Sequence, residues 1–206
     1  MALHHYFFGT DKQRAKFIFD FIAPIYGVLG KAARKGYDQI CDKLNRRYAL
    51  LNYSILDVGT GTGEWLSSIS KYTDQQSVGT DFSAKMIKQA RAAFPDNEFV
   101  VNDAEALTKF DDNSFDIVTA SYVLHGMKNY DRAIVLKEMK RIAKKFVMIH
   151  DFEADTPTVV KVLEFLERSD YVNFKKNFKE EMKILFSETD IVKCPRTANA
   201  IYIGIV

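Results

Sequence analysis

Three glycines at alternate positions, Gly59, Gly61 and Gly63, lie in Ile55-Leu56-Asp57-Val58-Gly59-Thr60-Gly61-Thr62-Gly63-Glu64-Trp65, where an apolar run gives way to a helical pattern. Glycine lets the backbone take angles closed to other residues and lets a ligand come close, and the following helix offers its first N–H groups to that ligand. The dinucleotide fingerprint Gly-x-Gly-x-x-Gly fits in neither register: counted from Gly59 its third glycine falls on Glu64, and counted from Gly61 on Leu66. Glu64 also sets a carboxylate where a pyrophosphate would sit. An anionic cofactor is disfavoured, and a ligand carrying a cationic amine and a sulfonium is welcome.

Two acids extend this edge. Asp81 follows Gly59 by about 20 residues, at the end of the next apolar run, where an acid can accept both hydroxyls of a ribose; its plain alternative is a capping or loop aspartate. Asp103, in Val101-Asn102-Asp103-Ala104-Glu105-Ala106-Leu107, can accept from an adenine amino group with the Ala104 N–H facing the ring, or be a solvated loop acid. Three successive run ends with these residues make one ligand-binding edge. Further on, Ser121-Tyr122-Val123-Leu124-His125-Gly126 ends another run. His125 there is a general base, a group that orients an acceptor, or a loop histidine bonded to backbone. His150-Asp151 ends the next run and reads as a second polar wall or, more simply, as a buried structural pair.

The elements that position these residues alternate. Apolar, β-branched runs at Tyr53–Val58, Ser77–Asp81, Glu98–Asn102, Phe115–Ser121 and Phe146–Asp151 have the near-continuous character of parallel strands covered on both faces. Helical spacing fills Glu64–Lys71, Ser83–Phe94 and Tyr130–Lys144. Ser83 is a good N-cap, with Met86, Ile87, Ala90 and Phe94 on one stripe and Pro95 as the stop. The last third predicts helices at Pro157–Arg168 and Asn173–Phe186, then strands at Glu188–Cys194 and Ala198–Val206. Too few residues join these strands for a parallel crossover, so Pro195-Arg196 reads as a tight connection between antiparallel partners. The whole is a doubly wound α/β sheet.

Composition bounds the rest. The chain has 206 residues, 47% of them hydrophobic and 27% charged, which suits one α/β domain with a full core. A formal net charge of +2 shows no excess of positive charge for a polyanionic partner, so nucleic acid is not expected. Cys41 and Cys194 lie far apart with no metal-binding spacing, so neither a disulfide framework nor a metal site is expected. The first residues lack the pattern of a signal peptide, and no apolar stretch approaches about 18 residues. A cytoplasmic protein is the expectation, with at most peripheral membrane contact and a homodimer as one oligomeric state.

The stretch from about Phe19 to Asp151 resembles the class I S-adenosylmethionine-dependent methyltransferases, particularly the small enzymes of ubiquinone and menaquinone biosynthesis type. The resemblance is carried by Leu56-Asp57-Val58-Gly59-Thr60-Gly61-Thr62-Gly63, Gly79-Thr80-Asp81-Phe82-Ser83-Ala84-Lys85-Met86, Asp103-Ala104-Glu105-Ala106-Leu107 and Asn113-Ser114-Phe115-Asp116-Ile117-Val118. It implies a Rossmann-like sheet of seven strands, order 3-2-1-4-5-7-6 with strand 7 antiparallel, in one domain over 1–206. Residues 1–50 would form a helical lid and 51–206 the core. It implies S-adenosylmethionine as cofactor and a small, apolar, quinone- or lipid-like methyl acceptor. Gly59, Thr60, Gly61 and Gly63 would line the methionine part, Asp57 would order the loop, and Asp81 would hold the ribose. Phe82 and Met86 would pack near the adenine, Asp103 and Ala104 would meet its edge, and Ser121 would face the cofactor from the fourth strand. Tyr26, in the apolar segment Phe17–Gly27, would approach the methyl group, and Tyr122 and His125 would meet the acceptor.

Two departures from the family pattern are visible. Ile142-Ala143-Lys144-Lys145 replaces the Leu-Lys-Pro-Gly-Gly turn before strand five, and the insertion before strand six is short. Asn/Asp-Pro-Pro-Tyr/Phe is missing after strand four, and no Pro-Cys pair is placed to attack a cytosine, which demotes base methylation. The segment Phe17–Gly27 with its basic neighbours Lys12, Arg14, Lys16, Lys31, Arg34 and Lys35 is a lid, a membrane-docking surface, or an amphipathic helix packed on the domain edge. Competing functions are a non-catalytic S-adenosylmethionine-binding module and an NAD-dependent oxidoreductase; the failed third glycine and the lack of a Tyr-x-x-x-Lys pair argue against the latter.

Overall fold

Strands that are apolar on both faces must be covered on both faces, and the period of two in a strand sends alternate side chains to opposite layers. The computed structural model describes residues 34–154, 169–194 and 197–206 of the 206-residue chain. The expected lid segment with Tyr26, the helix expected at Pro157–Arg168 and the Pro195-Arg196 connection lie outside the described residues. The described part begins with helix α1 over 34–48, followed by β1 (Ile55–Val58), α2 (Glu64–Ile69), β2 (Ser77–Asp81), α3 (Ala84–Ala93), β3 (Glu98–Val101) and β4 (Phe115–Ser121). Then come α4 (Asn129–Ile142), β5 (Ala143–Phe152), α5 (Tyr171–Leu185), β6 (Glu188–Lys193) and β7 (Asn199–Ile205).

The strands form one seven-stranded sheet, order β3-β2-β1-β4-β5-β7-β6. The first five are parallel, and β7 runs antiparallel to both β5 and β6. Strand order and terminal hairpin match the expectation from the sequence. Leu56, Val58, Val118, Val147, Ile149 and Tyr202 pack on α4 and α5 through Val135, Met139, Phe174 and Phe178. Ile55, Ile117, Met148, Ile201 and Ile203 face the other way, onto α1, α2 and α3 through Ile40, Leu44, Leu66 and Ile87.

Several element ends depart from expectation. Helix α4 stops at Ile142 instead of Lys144, and β5 begins at once with Ala143, three residues before Phe146. Ala143 is already extended (φ −74, ψ 137) and pairs with Phe115, while the N–H groups of Asn113 and Ser114 take the last helical carbonyls of Arg141 and Ile142. Lys144 and Lys145 are exposed, so their helix-friendly chemistry decides nothing. Helix α2 ends at Ile69 and continues as a 3-10 turn, Ser70–Tyr72. Helix α5 starts two residues early, at Tyr171. Ser83 caps α3 as expected, its side chain accepting from the Met86 N–H.

Candidate cofactor and acceptor site

The glycine loop leaves β1 and folds over the end of β2. The N–H groups of Gly59 and Thr60 donate to the Thr80 carbonyl at 2.7 and 2.9 Å. Gly59, Gly61 and Gly63 all take left-handed angles (φ 71, 56 and 85), a region glycine enters without steric cost. At Gly59 space is also decisive: a Cβ would lie 2.6 Å from Val123 Cγ2. The loop after β4 therefore rests directly on the glycine loop.

Asp81 is buried and fastens two segments, Oδ2 accepting from the Gly61 N–H at 3.0 Å and Oδ1 from the Ser83 N–H at 2.8 Å. The Asn102 N–H donates to the Asp81 carbonyl at 3.0 Å, which brings the end of β3 alongside. Beyond it Asp103 is half-buried and accepts from the Glu105 N–H at 3.1 Å. Ala104 packs against the core beneath the sheet, Phe82 is half-buried, and Met86 is buried. Thus the residues expected around ribose and adenine do share one edge.

Asp57 behaves differently from the expected loop-ordering role. It is 1% exposed, and neither carboxylate oxygen makes a hydrogen bond; the Thr60 hydroxyl stands near but outside bonding geometry. Desolvation pushes its pKa from 3.8 to about 8; the Thr60 hydroxyl partly opposes the rise and the neighbouring Asp81 charge adds to it. A buried carboxylate with no partner is costly unless something positive arrives. The residues present therefore fit a ligand with a cationic amine and sulfonium, and fit a pyrophosphate badly.

Helix α1 closes over this edge. Arg34 donates to Ser67 Oγ at 2.9 Å, lies 3.9 Å from the Glu64 carboxylate and stacks on the Phe94 ring at 5.1 Å. Of the basic residues that suggested a membrane surface, Arg34 is thus engaged within the fold. Tyr37, which the sequence reading did not single out, is an edge-on neighbour of Trp65 (5.5 Å) and His150 (5.6 Å). Burial pushes its phenol up to about 12, against a hydrogen bond with Ser121. Its signal was its place on the apolar stripe Tyr37, Ile40, Cys41, Leu44.

On the acceptor side the alternation of β5 separates His150 from Asp151, which corrects the expectation of a pair. His150 points to the α1–α2 layer, with Nδ1 2.9 Å from Ser121 Oγ and its ring stacked on Trp65 at 5.0 Å. Burial lowers its pKa to about 4, against the charge of Asp151, so it is neutral. Asp151 points to the α4–α5 layer and is fully buried. There its Oδ1 lies 2.8 Å from His125 Nδ1, and its Oδ2 accepts from the His125 N–H at 3.2 Å. Of the three expectations for His125, the loop histidine bonded to backbone is corrected: its ring nitrogen is bonded to the Asp151 carboxylate.

Tyr122, between them, has φ 55, a conformation that costs a non-glycine residue about 1–3 kcal/mol and clusters at functional sites. The Asn199 side-chain amide donates to its hydroxyl, and its ring meets His150 and Phe152 at 4.8 and 5.2 Å. Tyr122, His125, Phe152, Tyr171 and Phe174 form an aromatic wall. Among the described residues no group of three or more His, Cys, Asp or Glu could hold a metal ion.

Residues 56–148 match a family model described as a methyltransferase domain. The chain is 33% identical to demethylmenaquinone methyltransferase of Thermotoga maritima over 66% of this chain and 60% of that protein. It is 31% identical to the Staphylococcus aureus protein of the same name, over 66% of this chain and 67% of that one. The chain thus spans 60% of the length of the Thermotoga relative, less than two thirds. Its fold is similar to magnesium protoporphyrin IX methyltransferase of Synechocystis with bound S-adenosylhomocysteine, with a TM-score of 0.62, 15% identity, and coverage of 86% and 84% of the two chains. With the sheet order and the glycine-loop edge, these likenesses show that the chain belongs to the class I S-adenosylmethionine-dependent methyltransferases, in the group that includes the demethylmenaquinone methyltransferases.

Proposed function

We propose that the chain transfers the methyl group of S-adenosylmethionine to a small, flat, quinone-like acceptor. The observation that carries the cofactor half is Asp57, a buried carboxylate without a hydrogen-bond partner beneath a glycine loop. In this reading Asp57 meets the positive charge of the cofactor, and Gly59, Thr60, Gly61 and Gly63 line its methionine part. Asp81 holds the ribose while keeping its bonds to the loop; Phe82, Met86, Asp103 and Ala104 flank the adenine, and Ser121 faces the sulfur side. The cofactor supplies an already activated methyl group, so the protein needs chiefly to hold the acceptor in line, which proximity alone makes worth several kcal/mol. The aromatic wall with Tyr122 and His125 suits a planar ring, and the named function of the curated relatives agrees with it.

The proposal includes a cytoplasmic site of action, no nucleic-acid partner and at most peripheral membrane contact; among the described residues no helix is long and apolar enough to cross a membrane. Calorimetric titration with S-adenosylmethionine, S-adenosylhomocysteine and NADH tests the cofactor half. Micromolar binding of both sulfur compounds and none of NADH is expected, weakened at least tenfold, about 1.4 kcal/mol, by Asp81→Asn. Failure of well-folded protein to bind either sulfur compound would sink the proposal. Binding without transfer of labelled methyl to any quinol would leave a non-catalytic module instead.

A further inference from the structure

Helix α1 lies along β6 in a fixed register. Tyr48 and Arg47 hold Asp190 at 2.5 and 2.7 Å, and Lys43 donates to the Lys193 carbonyl at 3.1 Å, so the helix runs back as the strand runs forward. One more strand residue advances about 3.3 Å, and two helical residues about 3 Å. The register therefore sets Cys41 of α1 against Cys194, the residue after Lys193. Side-chain direction agrees. The period of two in a strand puts Asp190, Val192 and Cys194 on one face. Val192 is buried in the same cluster as Ile40, Cys41 and Leu44, and Cys194 packs against that cluster. The Cys194 N–H still donates to the Asn199 carbonyl at 3.0 Å, so pairing with the β7 strand carries the alternation through it.

Both cysteines are free thiols; Cys41 has no exposed surface and Cys194 is half-buried. Burial pushes the Cys194 thiol up to about 11, against the Lys43 ammonium and a hydrogen bond with Thr197. Burial, then the Asp38 charge, raises Cys41 well above its ordinary value, and Cys194 is near enough to add to the rise. The thiolate is the attacking form, and at a pKa of about 11 only about one Cys194 in ten thousand is thiolate at pH 7. The pair therefore oxidises slowly and responds to sustained oxidant. Lys193 and Asp151 both pair with Ala200, so β6 ends at the sheet edge where His150 and Asp151 end β5. The same helix carries Arg34 to Ser67 and Tyr37 to Trp65 and His150 at that edge.

We propose that Cys41 and Cys194 are a redox pair that a hydroperoxide converts to a disulfide, stapling α1 to the end of β6. The Cys194 thiolate attacks one peroxide oxygen, and the O–O bond breaks with its pair going to the other oxygen, which takes up a proton as water or an alcohol. Cys194 then carries a sulfenic acid. The Cys41 sulfur attacks the Cys194 sulfur, the S–O bond breaks, and the hydroxyl leaves with the Cys41 proton as water. Two thiols lose two electrons and one peroxide gains them. A thiol reductant reverses the bond by exchange. The staple fixes the helix that covers the glycine-loop edge, whatever that edge binds.

The test uses the full chain held in millimolar hydrogen peroxide, then alkylated, digested and mapped by mass spectrometry without reduction. A Cys41–Cys194 linked peptide at monomer mass, lost on treatment with dithiothreitol, is the expected result. Two alkylatable thiols after prolonged exposure, an interchain disulfide, or over-oxidised Cys194 beside intact Cys41 each overturn the pairing. Cys41→Ser is expected to leave Cys194 as a sulfenic acid that dimedone captures. Cys194→Ser is expected to leave Cys41 unmodified in the folded chain; Cys41 oxidised as readily without Cys194 overturns the order of attack. Hydrogen exchange over 34–48 is expected to slow at least about threefold in the oxidised parent, while the Cys194→Ser variant under the same peroxide does not change. Equal exchange in oxidised and reduced parent removes the staple's hold on α1.

Discussion

Asp57 links charge to pH at the scale of a single residue. Its folded-state pKa, about 8, stands above the ordinary 3.8, so the ligand-free fold binds a proton that the unfolded chain has released. The associated stability is complete below about pH 4 and is lost as pH rises to about 8. Thermal midpoints of the ligand-free parent should therefore fall relative to Asp57→Asn across that window, and parallel curves would contradict the account. A cationic ligand reverses the preference: affinity for S-adenosylmethionine should fall by up to about tenfold per pH unit below pH 8, and Asp57→Asn should flatten the slope and weaken binding. His150 works oppositely, its depressed pKa contributing stability above about pH 6.5 that is lost as pH falls toward 4. The sequence made Asp57, Asp81 and His125 legible because spacing put them at strand ends. It could not show that Asp57 lacks a hydrogen-bond partner, since that depends on where Thr60 and Asp81 point.

Elements explain which parts of the site spacing could reveal. Strands β2 and β4 match their apolar runs to the residue because Asp81 and Ser121 both end pattern and pairing. The α4–β5 junction was illegible: Val135, Met139 and Ile142 keep helical spacing up to the turn, and only pairing with Phe115 marks the change. Two loops meet where Gly59 touches Val123, and this contact is testable. Gly59→Ala should cost about 1–3 kcal/mol from backbone strain, plus a clash that Val123→Ala relieves. Urea unfolding of the double-mutant cycle should show the second substitution restoring part of the loss; simple additivity would mean that no clash exists. Ser83→Ala should remove the α3 cap at about 1 kcal/mol, seen as a lower urea midpoint at unchanged slope.

Over the whole molecule, α1 joins distant parts of one face. Arg34 and Tyr37 lean on α2 and the strand ends, while Tyr48 bonds Asp190 at 2.5 Å, Arg47 reaches Asp190 at 2.7 Å and Lys43 reaches the Lys193 carbonyl at 3.1 Å, all on β6. The helix thus ties the glycine-loop edge to the opposite edge of the sheet. Asp190→Ala should remove the carboxylate that both Tyr48 and Arg47 hold, and loosen α1. Hydrogen exchange should quicken in 34–48 while β1 and β4 keep their protection, and uniform quickening would make α1 part of one global unit instead. Sequence patterning foretold the alternating strands and the antiparallel terminal hairpin, and the family resemblance implied the strand order. It did not foretell this strap, because its polar contacts to β6 join residues more than a hundred positions apart.

Trp65 is the single tryptophan of the chain, and it sits two residues beyond Gly63, 3% exposed, stacked on the neutral His150 ring and donating to Thr119 at 3.1 Å. The chain therefore carries one indole fluorophore, placed beside the glycine loop with no second indole to blur its signal. Its emission reports occupancy of this edge without any added label, and imidazole protonation beneath it would register as quenching in the same spectrum.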